Sequence, residues 1–319
     1  MFINFLATVL LIGGAVFFGW LATRAWQARP ILVKWGGSIL SSLMTLLVVF
    51  ATGLALTGLY KAYAPRPVPA PEINVEGTSE QIARGEHIAS AFCASCHSLT
   101  NDLPLTGGLD IGKDIPLPVG SFVTANLTPG GPLQSWTDGQ IFRAIRNGVD
   151  HEGRPLFVMS NARGRNLSDS DIEAVIAYLR NQPAVEHETQ EPLDQPTFLG
   201  ILMFGAGMLP AGDPPTTNVI VAPAKAPTAE YGAYIISYQD CVVCHGADLH
   251  GGEPGQLGPV GPSLVMVKDW TLEEFSTTLR TGVEPNGHEL DNAVMPWRSF
   301  GRMDDDELTA VYEYLQAMP

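Results

Sequence analysis

Two copies of the motif Cys-x-x-Cys-His, at residues 93–97 and 241–245, are the residues with the clearest chemical purpose. Two thiols at this spacing lie on one side of a helical turn, where each can add to a vinyl group of the same porphyrin. The adjacent histidine can then reach the iron, so the motif predicts a c-type haem attachment site. The duplication predicts two covalently bound haem c groups. The predicted attachment residues and iron ligands are Cys93, Cys96, His97, Cys241, Cys244 and His245.

These motifs use all four cysteines of the chain, so no thiol is left for a disulfide or a catalytic nucleophile. A zinc ribbon would place its two cysteine pairs about 15–20 residues apart, whereas Cys96 and Cys241 are separated by much more of the chain. A redox dithiol explains neither the following histidine nor the duplication. A scaffold that binds a metal ion directly through cysteine and histidine is a further alternative.

A haem iron bound by one histidine has a second axial position to fill, and each motif is followed by a candidate methionine. Met295 precedes a proline and a tryptophan, while Met159 is followed by Ser160. Ligation by histidine and methionine raises the haem potential and closes the iron to small molecules. For Met159 the alternative is a buried core methionine. His151 and His288 are the competing ligands, with a solvated loop histidine as the other interpretation of each.

The two motifs lie in two similar halves, residues 77–184 and 228–319. Each half has a glycine shortly before its first cysteine, Gly85 or Gly232, and Leu-x-Gly-Gly after the motif. Each then repeats Trp-Thr through Arg-x-Gly-Val-acid with the same internal spacing. Each closes with a predicted helix, over residues 168–181 and 303–316. The repeat predicts N-caps and left-handed helix ends at Thr137, Thr271, Gly148 and Gly282.

This order of features resembles the class I c-type cytochromes, and the resemblance covers both halves. It implies an all-α fold in which a C-terminal helix crosses the first helix of each domain. The segments 126–129 (Asn-Leu-Thr-Pro) and 148–155, with Trp136 between them, are similar to the cytochrome subunits of membrane-bound bacterial alcohol, aldehyde and gluconate dehydrogenases. Those subunits usually carry three haem domains and no N-terminal hairpin. The overall plan resembles the dihaem subunit of cbb3-type oxidases.

Residues 1–66 are predicted to form a transmembrane hairpin with spans at about 2–22 and 39–60, because each run is apolar and about 20 residues long. The loop between them carries Arg24, Arg29 and Lys34 and no acid. Positively charged loops stay in the cytoplasm, so the N-terminus and both haem domains are expected on the periplasmic side of a bacterial inner membrane. A cleaved signal peptide would need a basic residue before the first run, and the sequence has none there.

Three other features of the chain yield expectations. Residues 67–76 are predicted to be a stiff proline-rich spacer that lifts the domains off the bilayer. Residues 185–227 are predicted to be a linker, whose apolar stretch 198–209 is too short to span a bilayer and is expected to pack between the haem domains, on the membrane or on a partner. Small residues in the hairpin predict close helix contact at Gly13, Gly14, Ser42, Gly53 and Thr57.

The formal net charge is −15, and every acidic residue lies at or after Glu72. An acidic soluble part argues against binding to nucleic acid. It could steer a basic redox partner, with plain solubility as the alternative.

Taken together, the sequence predicts a membrane-anchored dihaem cytochrome c that carries single electrons between a donor and an acceptor. Its hairpin would lie in the lipid bilayer, and it would work with other subunits of a respiratory, photosynthetic or dehydrogenase complex. It is not expected to be an enzyme itself. The alternative function is a dihaem peroxidase-like enzyme, which needs one haem with an open or displaceable sixth ligand.

Overall fold

The computed structural model describes residues 1–190, 193–210, 212–254, 256 and 258–319. Three positions of the predicted linker (191, 192 and 211) and two loop positions of the second half (255 and 257) lie outside the described residues. The chain is mostly helical, as predicted. The described residues add one antiparallel pair of three-residue strands, β1 (Gly120–Phe122) and β2 (Asp194–Pro196).

Two apolar helices begin the chain, α1 (Phe2–Trp26) and α2 (Ser38–Tyr63), the second preceded by a π-helical turn, Val33–Gly37. Their apolar windows have mean hydropathies of 2.2 and 2.3, and each is long enough to cross a hydrocarbon core. The helices pack on each other through Gly14, where an added Cβ would lie 3.6 Å from Val48. Among the described residues, nothing outside the local backbone of the same helix lies within 4 Å of such a Cβ at Gly13 or Gly53.

The first haem domain contains α3 (Ser79–Ile88), a π-helical turn (Ala89–Cys93), α4 (Ala94–His97), α5 (Asp138–Asn147) and α6 (Asp169–Asn181). Thr137 caps α5 through a reciprocal capping box with Gln140, and Gly148 ends the helix at φ 59°. Both features were predicted from local sequence. At α6 the Ser168 side chain accepts the Asp171 backbone N–H. The Asp171 carboxylate instead pairs with Arg84, so Ser168 caps the helix without a reciprocal capping box.

The second haem domain repeats this arrangement with α8 (Ala229–Tyr238), α9 (Cys241–His245), α10 (Leu272–Thr281), α11 (Trp297–Phe300) and α12 (Asp305–Ala317). Thr271 forms a capping box with Glu274, and Gly282 ends α10 at φ 73°. The final helix begins two residues later than predicted, because the Asp304 side chain is its N-cap and forms a capping box with Glu307.

In both domains the first helix crosses the last helix at a glycine. A Cβ added at Gly85 would lie 1.9 Å from the carbonyl oxygen of Ala174, and one added at Gly232 would lie 1.9 Å from that of Ala310. Only a residue without a side chain permits such an approach. The same crossing in both halves places each haem motif at the same point of its domain.

The proline-rich segment, which was predicted to be a stiff spacer that lifts the domains off the bilayer, contacts the first domain. The backbone N–H of Arg66 donates to the carbonyl of Gly153 at 2.7 Å, and the Arg143 guanidinium donates to the carbonyl of Val68 at 3.0 Å. The segment is extended as predicted, but these hydrogen bonds hold it along the surface of the first domain. The domain therefore sits directly at the end of the hairpin.

The apolar stretch of the linker forms α7 (Phe198–Ala206), which packs against the hairpin. An added Cβ at Gly58 would lie 1.8 Å from the carbonyl oxygen of Ile201, and one at Gly205 would lie 2.0 Å from that of Leu54. The Lys61 ammonium donates to the carbonyl of Phe204 at 2.9 Å. Contact with the hairpin was not one of the three expected locations for this helix, and contact with a bilayer or a partner stays a prediction.

The two haem domains meet across a buried ionic cluster. Arg84 bridges Asp171 and Glu307, with both N–O distances at 2.9 Å, and His87 Nε2 lies 2.5 Å from the Glu307 carboxylate. Only 1% of the Glu307 side chain is exposed. Although burial raises the pKa of Glu307, its contacts with His87 and Arg84 outweigh that effect and lower the pKa to about 2.

Replacing Glu307 by glutamine is expected to destabilise the chain by about 3 kcal/mol at pH 7, because a buried ion pair loses one partner. The carboxylate has a lower pKa in the folded state than its ordinary value of 4.5. Its stabilisation is therefore complete above about pH 4.5 and is lost as the pH falls towards 2. Chemical unfolding in detergent at pH 7 and pH 3 should show a smaller difference between wild type and variant at the lower pH.

The matched control is Asp305→Asn, which removes a carboxylate that is 88% exposed and paired with Arg280. Exposed pairs contribute little, so this variant should unfold like the wild type. An equal loss for Glu307→Gln at both pH values would contradict the assignment.

Candidate haem-binding sites

One apolar pocket of the first domain brings together the four predicted haem-binding residues of that half: Cys93, Cys96, His97 and Met159. They come from separate segments, since the cysteines and histidine lie on the π-helical turn and α4, and Met159 lies in the loop after α5. The rest of the wall is mainly apolar, as a porphyrin plane requires. It includes Phe92, Leu127, Leu133, Trp136, Ile141, Ile145, Leu156, Phe157 and Leu179.

The imidazole of His97 is oriented for metal binding. Its Nδ1 lies 3.0 Å from the carbonyl oxygen of Ala125, and because a carbonyl only accepts, Nδ1 must carry the proton. Nε2 is then unprotonated, and its free lone pair can bind an iron. Burial lowers the pKa of His97, with partial compensation from the bond to Ala125. The ring is therefore neutral, as a ligand must be.

The second domain orients His245 in the same way. Its ring is buried, and its Nδ1 donates to the carbonyl of Pro262 at 2.7 Å. The loop after each motif also folds alike: Gly107 N–H donates to the carbonyl of His97, and Gly251 N–H to that of His245, both at 2.8 Å. Both domains therefore hold their histidine through the same pair of backbone hydrogen bonds. We call this arrangement the imidazole cradle.

Met295, the predicted second ligand of this half, is partly buried and packs against the core that the two haem domains share. Cys241 packs against the same core. Met295 sits just before α11, whose Trp297 indole N–H donates to the carbonyl of Leu290 at 3.1 Å. This bond closes the loop that carries the methionine.

The environment of the cysteines disfavours a redox dithiol. Burial raises the pKa of Cys93 to about 12, of Cys96 to about 11 and of Cys241 to about 12. Burial also raises the pKa of Cys244. Reactive or metal-binding thiolates usually sit in surroundings that lower the pKa. Here the apolar setting instead matches thiols that face the edge of a porphyrin.

The competing histidines are both exposed. His151 stacks near Trp136 at the edge of the first pocket, with ring centroids 4.9 Å apart. His288 lies in a turn, where its carbonyl accepts the Glu284 N–H. Met159 is partly buried and lines the same pocket as His97, so it stays the predicted second ligand of this half.

Several residues of the first pocket were not found from the sequence. Tyr63 of the hairpin, Phe204 of α7, and Asp240 of the second domain line it together with Asp194. The Asp194 carboxylate accepts the Phe157 N–H at 2.6 Å, which fixes the loop leading to Met159. Burial raises the pKa of Asp194 to about 6.

Comparison with known families assigns both halves. Residues 80–179 match the family model described as cytochrome c oxidase, cbb3-type, subunit III, and residues 229–319 match the family model described as cytochrome c. Both halves are cytochrome c domains, which confirms the predicted fold class and covalently bound haem c as the cofactor.

Among curated proteins, the chain is similar to cytochrome subunits of dehydrogenases. It is 24% identical over 270 residues to the gluconate 2-dehydrogenase cytochrome c subunit of Pantoea cypripedii, covering 74% of this chain and 59% of that protein. It is 30% identical over 258 residues to the fructose dehydrogenase cytochrome subunit of Gluconobacter japonicus, covering 73% and 47%. The alcohol dehydrogenase (quinone) cytochrome c subunit of Gluconacetobacter polyoxogenes is 24% identical over 250 residues, covering 73% and 47%. The chain thus spans at most three-fifths of the length of these relatives.

Proposed function

We propose that this chain is a membrane-anchored dihaem cytochrome c that carries single electrons on the periplasmic side, as the cytochrome subunit of a membrane-bound dehydrogenase complex. The observation that carries the proposal is the duplicated cradle, in which His97 and His245 are buried and donate from Nδ1 to a backbone carbonyl. The similarity to dehydrogenase subunits favours this kind of complex over the respiratory and photosynthetic ones.

Each domain supplies the same set of groups for its cofactor. The cysteine pairs would form thioether bonds, and the imidazoles and the sulfurs of Met159 and Met295 would ligate the iron. Haem c, when bound, supplies the one-electron redox chemistry. The protein contributes axial ligation, burial and exclusion of water. A carrier needs both axial positions filled, whereas a peroxidase needs one to open.

The first haem would lie next to the membrane. Its pocket is lined by Met1, Lys61 and Tyr63 of the hairpin as well as by residues of the first domain. The second domain lies on the far side of the ionic cluster and presents acidic side chains such as Asp248, which is 75% exposed. We infer that the membrane-side haem exchanges electrons within the complex and that the second haem meets a basic redox partner.

The orientation rests on the loop between α1 and α2. Lys34 Nζ lies 4.7 Å from the ring centroid of Trp26, and the rings of Trp26 and Trp35 are 5.1 Å apart. A basic loop with clustered tryptophans is typical of the cytoplasmic interface. The haem domains would then face the opposite, periplasmic side.

Purification in mild detergent from the native membrane tests the proposal. The reduced protein should contain only low-spin haem that ignores carbon monoxide and peroxide, and a dehydrogenase subunit should co-purify. A high-spin haem that reacts with peroxide would instead support the peroxidase-like alternative.

The dependence of the reduction rate on salt tests whether the acidic surface attracts a basic partner. Reduction by the cation hexaammineruthenium(II) should slow as ionic strength rises, because salt screens its attraction to the acidic surface. Reduction by the anion ferrocyanide should accelerate. A rate for the cation that is flat from low to high salt would count against electrostatic steering.

A further inference from the structure

The segments that lead into the two haem motifs meet at the interface between the domains. Phe92, just before the first motif, lies edge to face with Tyr238, with ring centroids 6.0 Å apart. Nearby, the Asn166 side chain donates to the carbonyl of Ser237 at 2.6 Å. Both cysteine pairs therefore lie near the interface between the two domains.

Asp240 occupies this region from the second domain. It directly precedes Cys241 at the start of α9, yet its side chain makes no capping bond to that helix. It lines the pocket of the first domain together with Cys93 and Cys96. The backbone N–H and the charge of Arg163 act on its carboxylate, and burial raises the pKa of Asp240 to about 6.

Asp240 lies beside both motifs, because it lines the pocket that contains Cys93 and Cys96 and directly precedes Cys241 in the chain. In addition to burial, which is the main cause, it contributes to the raised pKa of the four thiols, two in each domain: Cys93, Cys96, Cys241 and Cys244. One carboxylate thus lies within electrostatic reach of both attachment sites. An acid at this position is not part of the Cys-x-x-Cys-His chemistry, and the matching position in the first half is Phe92.

We propose that the negative charge of Asp240 lowers the reduction potentials of both haems. The inference rests on the proposed function, since it requires a haem at each motif. A ferric haem carries one more positive charge than a ferrous haem, so a nearby carboxylate stabilises the oxidised form. Asp240 would therefore lower both potentials, and it would do so across the interface between the domains.

The test is a spectroelectrochemical titration of the full chain in detergent at pH 8, where Asp240 is ionised. Asp240→Asn should raise both midpoint potentials, with about a tenfold change in the ferrous-to-ferric ratio at a fixed applied potential, which is about 59 mV for one electron. Asp240→Glu keeps the charge and should restore both potentials towards those of the wild type. The control Asp305→Asn removes an exposed charge of the second domain and should leave both potentials unchanged.

A second variant keeps the inference testable if Asp240→Asn fails to incorporate haem. Arg163→Gln removes the cation that offsets the carboxylate, so both potentials should fall. A shift confined to the second haem, or no shift in either, would overturn the inference. Counting haems by intact mass separates this failure from that of the proposed function, because two covalent haems with unchanged potentials would refute only the role of Asp240.

Discussion

Replacing Met159 by alanine is expected to remove the sixth ligand of the first haem and to leave the second haem unchanged. The reduced first haem should become high-spin and bind carbon monoxide. Its potential should fall by roughly a few hundred millivolts, because axial ligands control a range of about 0.8 V. Spectra of the two oxidation states, recorded during a redox titration, measure both effects in one sample.

The control separates ligation from packing. Met203 on α7 is 7% exposed and belongs to the small core that includes Phe122 and Phe204. Met203→Ala should lower stability by about 2–5 kcal/mol, as loss of a core methionine does, without changing either haem spectrum. If Met159→Ala behaves like this control, with both haems low-spin at unchanged potentials, Met159 is a core residue and another group binds the iron. Met295→Ala should give the reciprocal result in the second domain.

Replacing Gly85 by valine is expected to prevent the first domain from folding around its haem. The new Cβ would lie 1.9 Å from the carbonyl oxygen of Ala174, so α3 and α6 would have to move apart. The cost should be at least about 3 kcal/mol, the upper end of the usual range for overpacking. Chemical unfolding followed by haem absorbance should show early loss of the first haem environment while the second remains.

Two variants control for this prediction. Glu86→Val changes the neighbouring, exposed position of α3 and should have little effect. Gly232→Val introduces the same clash against Ala310 and should unfold the second domain instead. If Gly85→Val unfolds like Glu86→Val, the crossing geometry assigned to both domains is incorrect.

Features encoded in short stretches of sequence could be predicted. The N-caps at Thr137 and Thr271 and the left-handed ends at Gly148 and Gly282 follow from interactions within a single turn. The repeat also singled out Gly85 and Gly232, because each lies shortly before the first cysteine of a haem motif. Their place at the helix crossings is seen in the structure. Neighbouring residues determine the conformation at these positions. The structure is needed only to show which distant residue each of them contacts.

Features that depend on contacts between distant segments could not be predicted. Nothing near Asp240 indicates that it lines the pocket of the other domain, and nothing near Asp194 indicates that it holds the Phe157 backbone. The proline-rich segment was expected to be a stiff, extended spacer because of its composition. Its hydrogen bonds to the first domain come from Gly153 and Arg143, which the local sequence does not reveal.

The intact mass of the purified full chain tests the central claim most directly. The expected mass is that of the 34.2 kDa polypeptide plus two covalently attached haem groups. Changing both cysteines to alanine in either motif should remove one haem and leave the other. A wild-type chain that is fully matured for c-type haem attachment but carries fewer than two such adducts would contradict the account.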